Sequence, residues 1–250
     1  MITNILRPLA VLLALCTMAS AAELKILSGN GGRAAVAELS ARFERETGVK
    51  VTTDFAVNPT VRKRVLEGED FDIAVLNPPV LDELIKAGKV LGETRSVIGR
   101  IGLGVGIKEG APKPDISTPE AFKKALLAAK SVAYPEEGAS GIYFANLVKR
   151  LGIEAEMKSR LRPMPGEYNV EVLATGEVEM VVVVASRIYG VKGAQLVGLI
   201  PAELQTWIGF AAGVSAKAKD PEQARKLVRY MTSPAAEPFL RQMGLEPFVE

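Results

Sequence analysis

The sequence contains no histidine, a single cysteine at Cys16, and no marked excess of either charge: 31 Lys and Arg stand against 29 Asp and Glu, for a formal net charge of +2. Each shortage closes a class of function. Without histidine there is no His-based catalytic triad, and with one cysteine no Cys/His zinc cluster can assemble. Near-balanced charge gives none of the basic excess that marks a nucleic-acid surface, so no nucleic acid is expected as a partner. Chemistry is left to carboxylate, Lys, Ser, Thr and Tyr side chains.

The apolar run at residues 9–16 is too short to cross a bilayer. Arg7 is the only charged residue before Glu23, and Ala19, Ser20 and Ala21 supply small residues at cleavage spacing. Residues 1–22 therefore read as a secretory signal peptide. Cys16 would leave with it, and the mature chain would work in the periplasm without disulfide or thiol chemistry.

What is present is a strand–helix alternation in a chain of 250 residues, 48% of them hydrophobic. Residues 24–27, 49–55 and 71–76 read as strands. Residues 33–47 and 59–67, and a segment marked by Leu81, Leu84 and Ile85, read as helices stopped by Gly48, Gly68 and Gly88. "RIGLGVGIKEGAPKP" breaks the rhythm: Ile101, Leu103, Val105 and Ile107 alternate with glycines, as in a strand closely approached by other groups. It reads as a crossing between two parts of the fold. A second set follows. Its strands are at 131–134, 180–185 and 195–200, and its helices at 141–151 and 168–175, with another begun by Ser117-Thr118-Pro119-Glu120. Residues 207–214 alternate again, as a return crossing would. Two helices close the chain, begun by Asp220-Pro221 and by Ser233-Pro234. Such alternation predicts an α/β fold of mostly parallel sheet flanked by helices.

Four loops share one design, in which a strand ends, small or amide residues turn, and a helix begins. They are residues 28–32, 56–60, 138–141 and 165–169. Each leaves backbone N–H groups free at the positive end of a helix, and several converging on one cleft would hold a small anion. Asn30, Gly31, Asn58, Pro59, Thr60, Ser140, Gly141 and Tyr168 are the candidates on these loops, with Asn77 at the end of the third strand. Arg33, Arg62 and Arg187 lie near loop or strand ends, where a guanidinium can grip a carboxylate or oxyanion. Gly29, Gly31 and Ala34, with Asp54 closing the next strand, also fit a dinucleotide fingerprint, a weak pattern by itself. Ser140 lacks both the last glycine of a nucleophile elbow and a histidine base, so capping or ligand contact suits it better than catalysis.

The stretches "AELSARFERETGVKV", "VRKRVLEGEDFDIAV", "YPEEGASGIY", "VEVLATGEVEMVVVVAS" and "DPEQARKLVRYMTSPAAEPFLRQMGL", in this order and spacing, resemble the molybdate-binding periplasmic proteins of ABC transporters. The resemblance covers nearly the whole mature chain. It implies the two-lobed type II periplasmic binding fold, each lobe a mostly parallel sheet flanked by helices. It also implies a small anionic solute enclosed between the lobes and delivered to an ABC transporter permease; a non-enzymatic binding protein is expected, with a sensor-partner protein or a His-free periplasmic hydrolase or lyase as the alternatives. No metal or cofactor is needed, and a monomer is expected.

The lobes are expected at 23–101 plus 204–250 and at 102–203, with hinges near 101–107 and 207–214. The resemblance places Val184 and Arg187 at the site as well. It also implies a serine where this chain has Gly31, another where it has Asn58, a tyrosine where it has Val184, and an acid where it has Arg187. Hydroxyl donors are thus exchanged for amides and a cation. A molybdate-type oxyanion, another oxyanion or a small organic carboxylate all remain open as the ligand.

Overall fold

The computed structural model describes residues 23–165 and 170–247. The segment read as a signal peptide, and Tyr168, lie outside them. The first part of the chain runs β1 (Glu23–Gly29), α1 (Arg33–Thr47), β2 (Lys50–Ala56), α2 (Asn58–Leu66), β3 (Ile73–Leu76), α3 (Pro78–Lys86) and the long β4 (Ser96–Lys108). Next come α4 (Pro119–Ala128), β5 (Val132–Pro135), α5 (Ala139–Arg150), α6 (Glu154–Met157), β6 (Leu161–Met164), α7 (Glu171–Thr175), β7 (Met180–Val184) and β8 (Ala194–Leu199). The chain returns through β9 (Trp207–Val214) to α8 (Pro221–Met231) and α9 (Glu237–Gln242).

The strands follow the order β2-β1-β3-β9-β4-β7-β5-β6, with β8 added along β4. The outer strands on each side pair in parallel, β2-β1-β3 at one end and β7-β5-β6 at the other. The inner pairs, β3-β9, β9-β4, β4-β7 and β4-β8, are antiparallel. Parallel strands need crossover helices on their faces. The buried stripe of α1 (Ala35, Val36, Leu39, Phe43) and that of α5 (Phe144, Leu147, Val148) supply such cover on the two sides.

β4 joins the two lobes. It pairs with β9 through Gly102 and with β7 from Leu103 onward. On its other edge β9 gives way to β8, and the side chain of Gln205 fills the gap between them. Its Oε1 accepts from Leu103 N at 2.8 Å and its Nε2 donates to Leu103 O at 3.0 Å. A Cβ on Gly102 would lie 2.9 Å from that Nε2, so any larger residue there would displace the Gln205 amide.

The expected return crossing at 207–214 is corrected. β9 pairs along its length with β3 and with the first part of β4, so the return runs through residues 200–206 ahead of it. The last helix is also shorter than expected: the Ser233 hydroxyl donates back to Tyr230 O at 2.8 Å instead of capping forward, and helix starts only at Glu237.

A charged network fixes α2 against the sheet. Arg64 on α2 grips Glu69 with both Nε and Nη2, at 2.5 and 2.7 Å, and also pairs with Asp54 on β2. Lys25 on β1 reaches the same Glu69 at 2.8 Å. Asp54 is therefore committed to an ion pair, not placed as the ribose-binding acid of a dinucleotide site. The Arg64 hydrogen bonds, followed by Lys25 and opposed by burial, hold the Glu69 carboxyl down to about 2 from its ordinary 4.5.

Because the folded value is the lower one, the unfolded chain binds the proton first. This stabilisation is whole above about pH 4.5 and is lost as pH falls toward 2. Urea unfolding at pH 6 and pH 3 should show a smaller acid-induced loss of stability for Glu69→Gln than for the wild type; equal losses would contradict the assignment.

Candidate ligand-binding site

The site forms where strands end and helices begin. Among the described helices of nine residues or more, α4 and α8 carry side-chain caps: Thr118 accepts from Ala121 N at 3.1 Å and Asp220 from Gln223 N at 3.0 Å. The other four, α1, α2, α3 and α5, have no side-chain cap hydrogen bond at their N-termini. These four begin at residues lining one cavity or its neighbours. α3 opens on Pro78 and Pro79, which have no N–H, and its Val80 N donates to Asn77 O at 3.0 Å; the starts of α1, α2 and α5 are the ones that can turn N–H groups to a ligand's oxygens.

The central chamber has a volume of about 50 Å³. One lobe contributes Asn30, Val57 and Asn58. The other contributes Pro135, Glu137, Gly138 and Ser140 around the start of α5, and Val183, Val184 and Arg187 from the end of β7 onward. Arg187 also lines a larger adjoining cavity of about 340 Å³, together with Arg33, Glu171, Ser186 and Tyr189. Across the cleft the Ser186 hydroxyl donates to Gly31 O at 2.7 Å, tying the lobes together beside the chamber.

Asn30 is 6% exposed. Its Oδ1 accepts from Arg33 Nη2 at 3.0 Å, while its Nδ2 is buried with no hydrogen-bond partner among the described residues. A buried amide donor without an acceptor costs about 1–3 kcal/mol, so an acceptor entering the chamber has something to satisfy. Asn58 is held in place: its Oδ1 accepts from Asn77 N at 3.0 Å, and Asn77 Nδ2 in turn donates to Gly209 O on β9 at 2.9 Å.

The structure brings Asn30, Asn58, Ser140, Val184 and Arg187 to one chamber. Asn77 lines the next groove, with Pro78, Ile142 and Trp207, and meets the chamber only through Asn58. Pro59 and Thr60 are exposed on the first turn of α2 and are not among the chamber's lining residues. Gly141 is buried behind the wall, where a Cβ would sit 1.8 Å from Pro135 O; packing explains the glycine there.

Gly31 lies against Phe210, and a Cβ on it would be 2.8 Å from Phe210 Cζ. The ring of this buried phenylalanine occupies the space a serine side chain would need. The sequence reading missed Phe210, Ser186, Glu137 and the valines at 57 and 183. Phe210 comes from β9, of which only the alternating pattern was visible, and Ser186 from the short turn that follows the apolar run of β7. Among the described residues no three His, Cys, Asp or Glu side chains gather as metal ligands.

The family profile described as bacterial extracellular solute-binding protein matches residues 24–246. An aconitate isomerase of a Pseudomonas species is 32% identical over 232 residues, covering 90% of this chain and 87% of that protein. The molybdate-binding protein ModA of Azotobacter vinelandii is 25% identical over 240 residues, 92% of each. The solved structure of the periplasmic molybdate-binding protein from Azotobacter vinelandii superposes with a TM-score of 0.76 at 16% identity, over 90% of this chain and all of that one. That likeness establishes the fold.

The contact between Gly31 and Phe210 can be tested directly. Gly31→Ser should destabilise the protein by about 1–3 kcal/mol, the usual cost of overpacking, and Gly31→Ser combined with Phe210→Leu should recover most of it in thermal melts. Full stability of the single variant would show that the ring does not set this position.

Proposed function

The chain belongs to the family of bacterial extracellular solute-binding proteins, and we propose that it captures a small anion between its lobes for delivery to an ABC transporter permease. The observation that carries this reading is that Asn30, a residue of the chamber wall, has a buried Nδ2 with no hydrogen-bond partner among the described residues. Around it, the start of α5 at Ser140 and that of α2 at Asn58 offer backbone donors, and Arg187 adds positive charge. On this reading the described residues within 23–101 and 204–250 form one lobe and those within 102–203 the other. Hinge bending at the crossing inside β4 and at residues 200–206 would open and close the cleft over the solute.

Among anions, a small organic carboxylate is favoured over molybdate. The chamber presents amides and a guanidinium in place of the expected hydroxyls. Val57, Val183, Val184 and Pro135 give it apolar walls suited to a carbon skeleton. The larger cavity that shares Arg187 leaves room for a longer acid.

In thermal-shift measurements a carboxylate at a hundred times its Kd should add about 2.7 kcal/mol, or about 5–10 °C in Tm. The panel is molybdate, tungstate, sulfate, phosphate, citrate and cis- and trans-aconitate. Stabilisation by molybdate alone would overturn the carboxylate preference, and no response to any anion would overturn the reading as a whole.

A second reading is enzymatic, and it is favoured by the 32% identity to a protein named aconitate isomerase. Of the described side chains lining the chamber, Glu137 is the one carboxylate, the kind of group that serves as a general base. On the binding-protein reading, cis-aconitate incubated with the protein stays unchanged by NMR. Its conversion to the trans acid, abolished in Glu137→Gln, would establish the enzymatic reading instead.

A further inference from the structure

We infer that Arg33 is a positioning residue for the bound anion: by holding Asn30 Oδ1 it turns the amide so that the NH2 end, not the oxygen, is presented to the chamber. The inference rests on the proposed anion-binding function and deepens it, because it names what makes the chamber a donor site. A carboxamide has two ends of nearly equal size, one that attracts an anion and one that repels it. Whichever end faces the ligand is set by the partner of the other. A guanidinium carries only donors, so the group it bonds must be the oxygen, and the 3.0 Å contact from Arg33 Nη2 to Asn30 Oδ1 decides the orientation. The Nδ2 of this chamber-lining residue then remains buried without a hydrogen-bond partner among the described residues.

Arg33 is itself well placed to act as the fixed end. It is the first residue of α1, three positions after Asn30. Its Cζ lies 4.5 Å from the centroid of the Phe55 ring, so the planar group stacks on an aromatic face. Asn30 occupies the short 3₁₀ turn Asn30–Gly32, whose Gly31 carbonyl is held from the other lobe by Ser186. The turn, the guanidinium and the amide thus form one unit, whose oxygen end is taken and whose NH2 end has no partner among the described residues. Without Arg33, the amide is free to rotate and offer its oxygen, and the chamber loses a donor of defined direction.

The test is a mutant cycle with calorimetric binding of trans-aconitate and of molybdate as the probes. Arg33→Met should weaken binding about ten- to a hundredfold, the range set by losing one hydrogen bond to a charged group. Arg33→Lys, which restores a donor to Asn30 Oδ1, should recover much of that loss. In an Asn30→Ala background, Arg33→Met should cause no further loss, because its effect passes through the amide.

A full additional loss in that background would overturn the inference, since Arg33 would then act on the anion by its own charge. So would wild-type affinity in Arg33→Met. Should Arg33→Met fail to fold, Asn30→Asp serves in its place: it keeps an acceptor for Arg33 but replaces the donor by a carboxylate oxygen, and it should abolish binding. Retained binding in Asn30→Asp would overturn the inference. Wild-type protein that binds neither probe would overturn the proposed function, and with it any ligand for Arg33 to serve. A wild type that binds while the cycle shows no coupling would overturn the positioning role alone.

Discussion

A helix that starts without a side-chain cap leaves its first N–H groups to find acceptors elsewhere. In this protein that requirement is concentrated in one place. The residues that open the helices capped by Thr118 and Asp220 do not line these cavities, whereas α1, α2 and α5 begin uncapped around the chamber and the cavities beside it. The same chain builds good caps where nothing else is needed and omits them where the lobes meet. Each open end favours negative charge by a few tenths of a kcal/mol to about 1 kcal/mol, so convergence, rather than any single end, makes an anion site physically reasonable.

Convergence depends on the way the two lobes are joined. β4 serves both sheets, and its glycines admit neighbours that a Cβ would push away: Gln205 against Gly102, and Leu196 against Gly104, where the added carbon would lie 2.9 Å from Leu196 Cδ1. The Gln205 amide completes the hydrogen bonding of Leu103 where the strand changes partners. A continuous strand with a satisfied backbone through the junction keeps the two sets of helix starts in register. The Ser186–Gly31 hydrogen bond then fixes their approach.

Local features were readable from the sequence, and long-range ones were not. Gly48, Gly68, Gly88 and Gly176 mark helix ends and all have positive φ. The proline and the capping residues that open α4 and α8 gave those starts to within a residue. The alternation at 207–214 matches β9 residue for residue. Its role did not follow, because which strand lies beside it depends on contacts far away in the chain. The site shows the same division. Asn30, Asn58 and Ser140 stand out as small polar residues between a strand and a helix. Phe210 filling the space at Gly31, and Pro135 closing over Gly141, arise only when distant segments meet. Ser233 misled for a related reason, since a serine can bond backward as readily as forward.

The departures from the molybdate-binding pattern are mutually consistent in the folded protein. A hydroxyl can rotate to donate or accept, whereas an amide locked at one end offers a single polarity. Glycine in place of the serine expected at Gly31 lets Phe210 pack under the first loop, and on the proposed reading the donor role passes to Asn30, whose oxygen Arg33 holds. At the second loop Asn58 is likewise tied at its oxygen, by Asn77 N. Both amides therefore turn their acceptor ends toward protein groups and keep their NH2 ends for other use. On the proposed reading, a chamber with donors of fixed direction and valine walls selects for a flat carboxylate attached to carbon. A tetrahedral oxyanion would ask for donors on every side, including the sides where Val57, Val183 and Val184 stand.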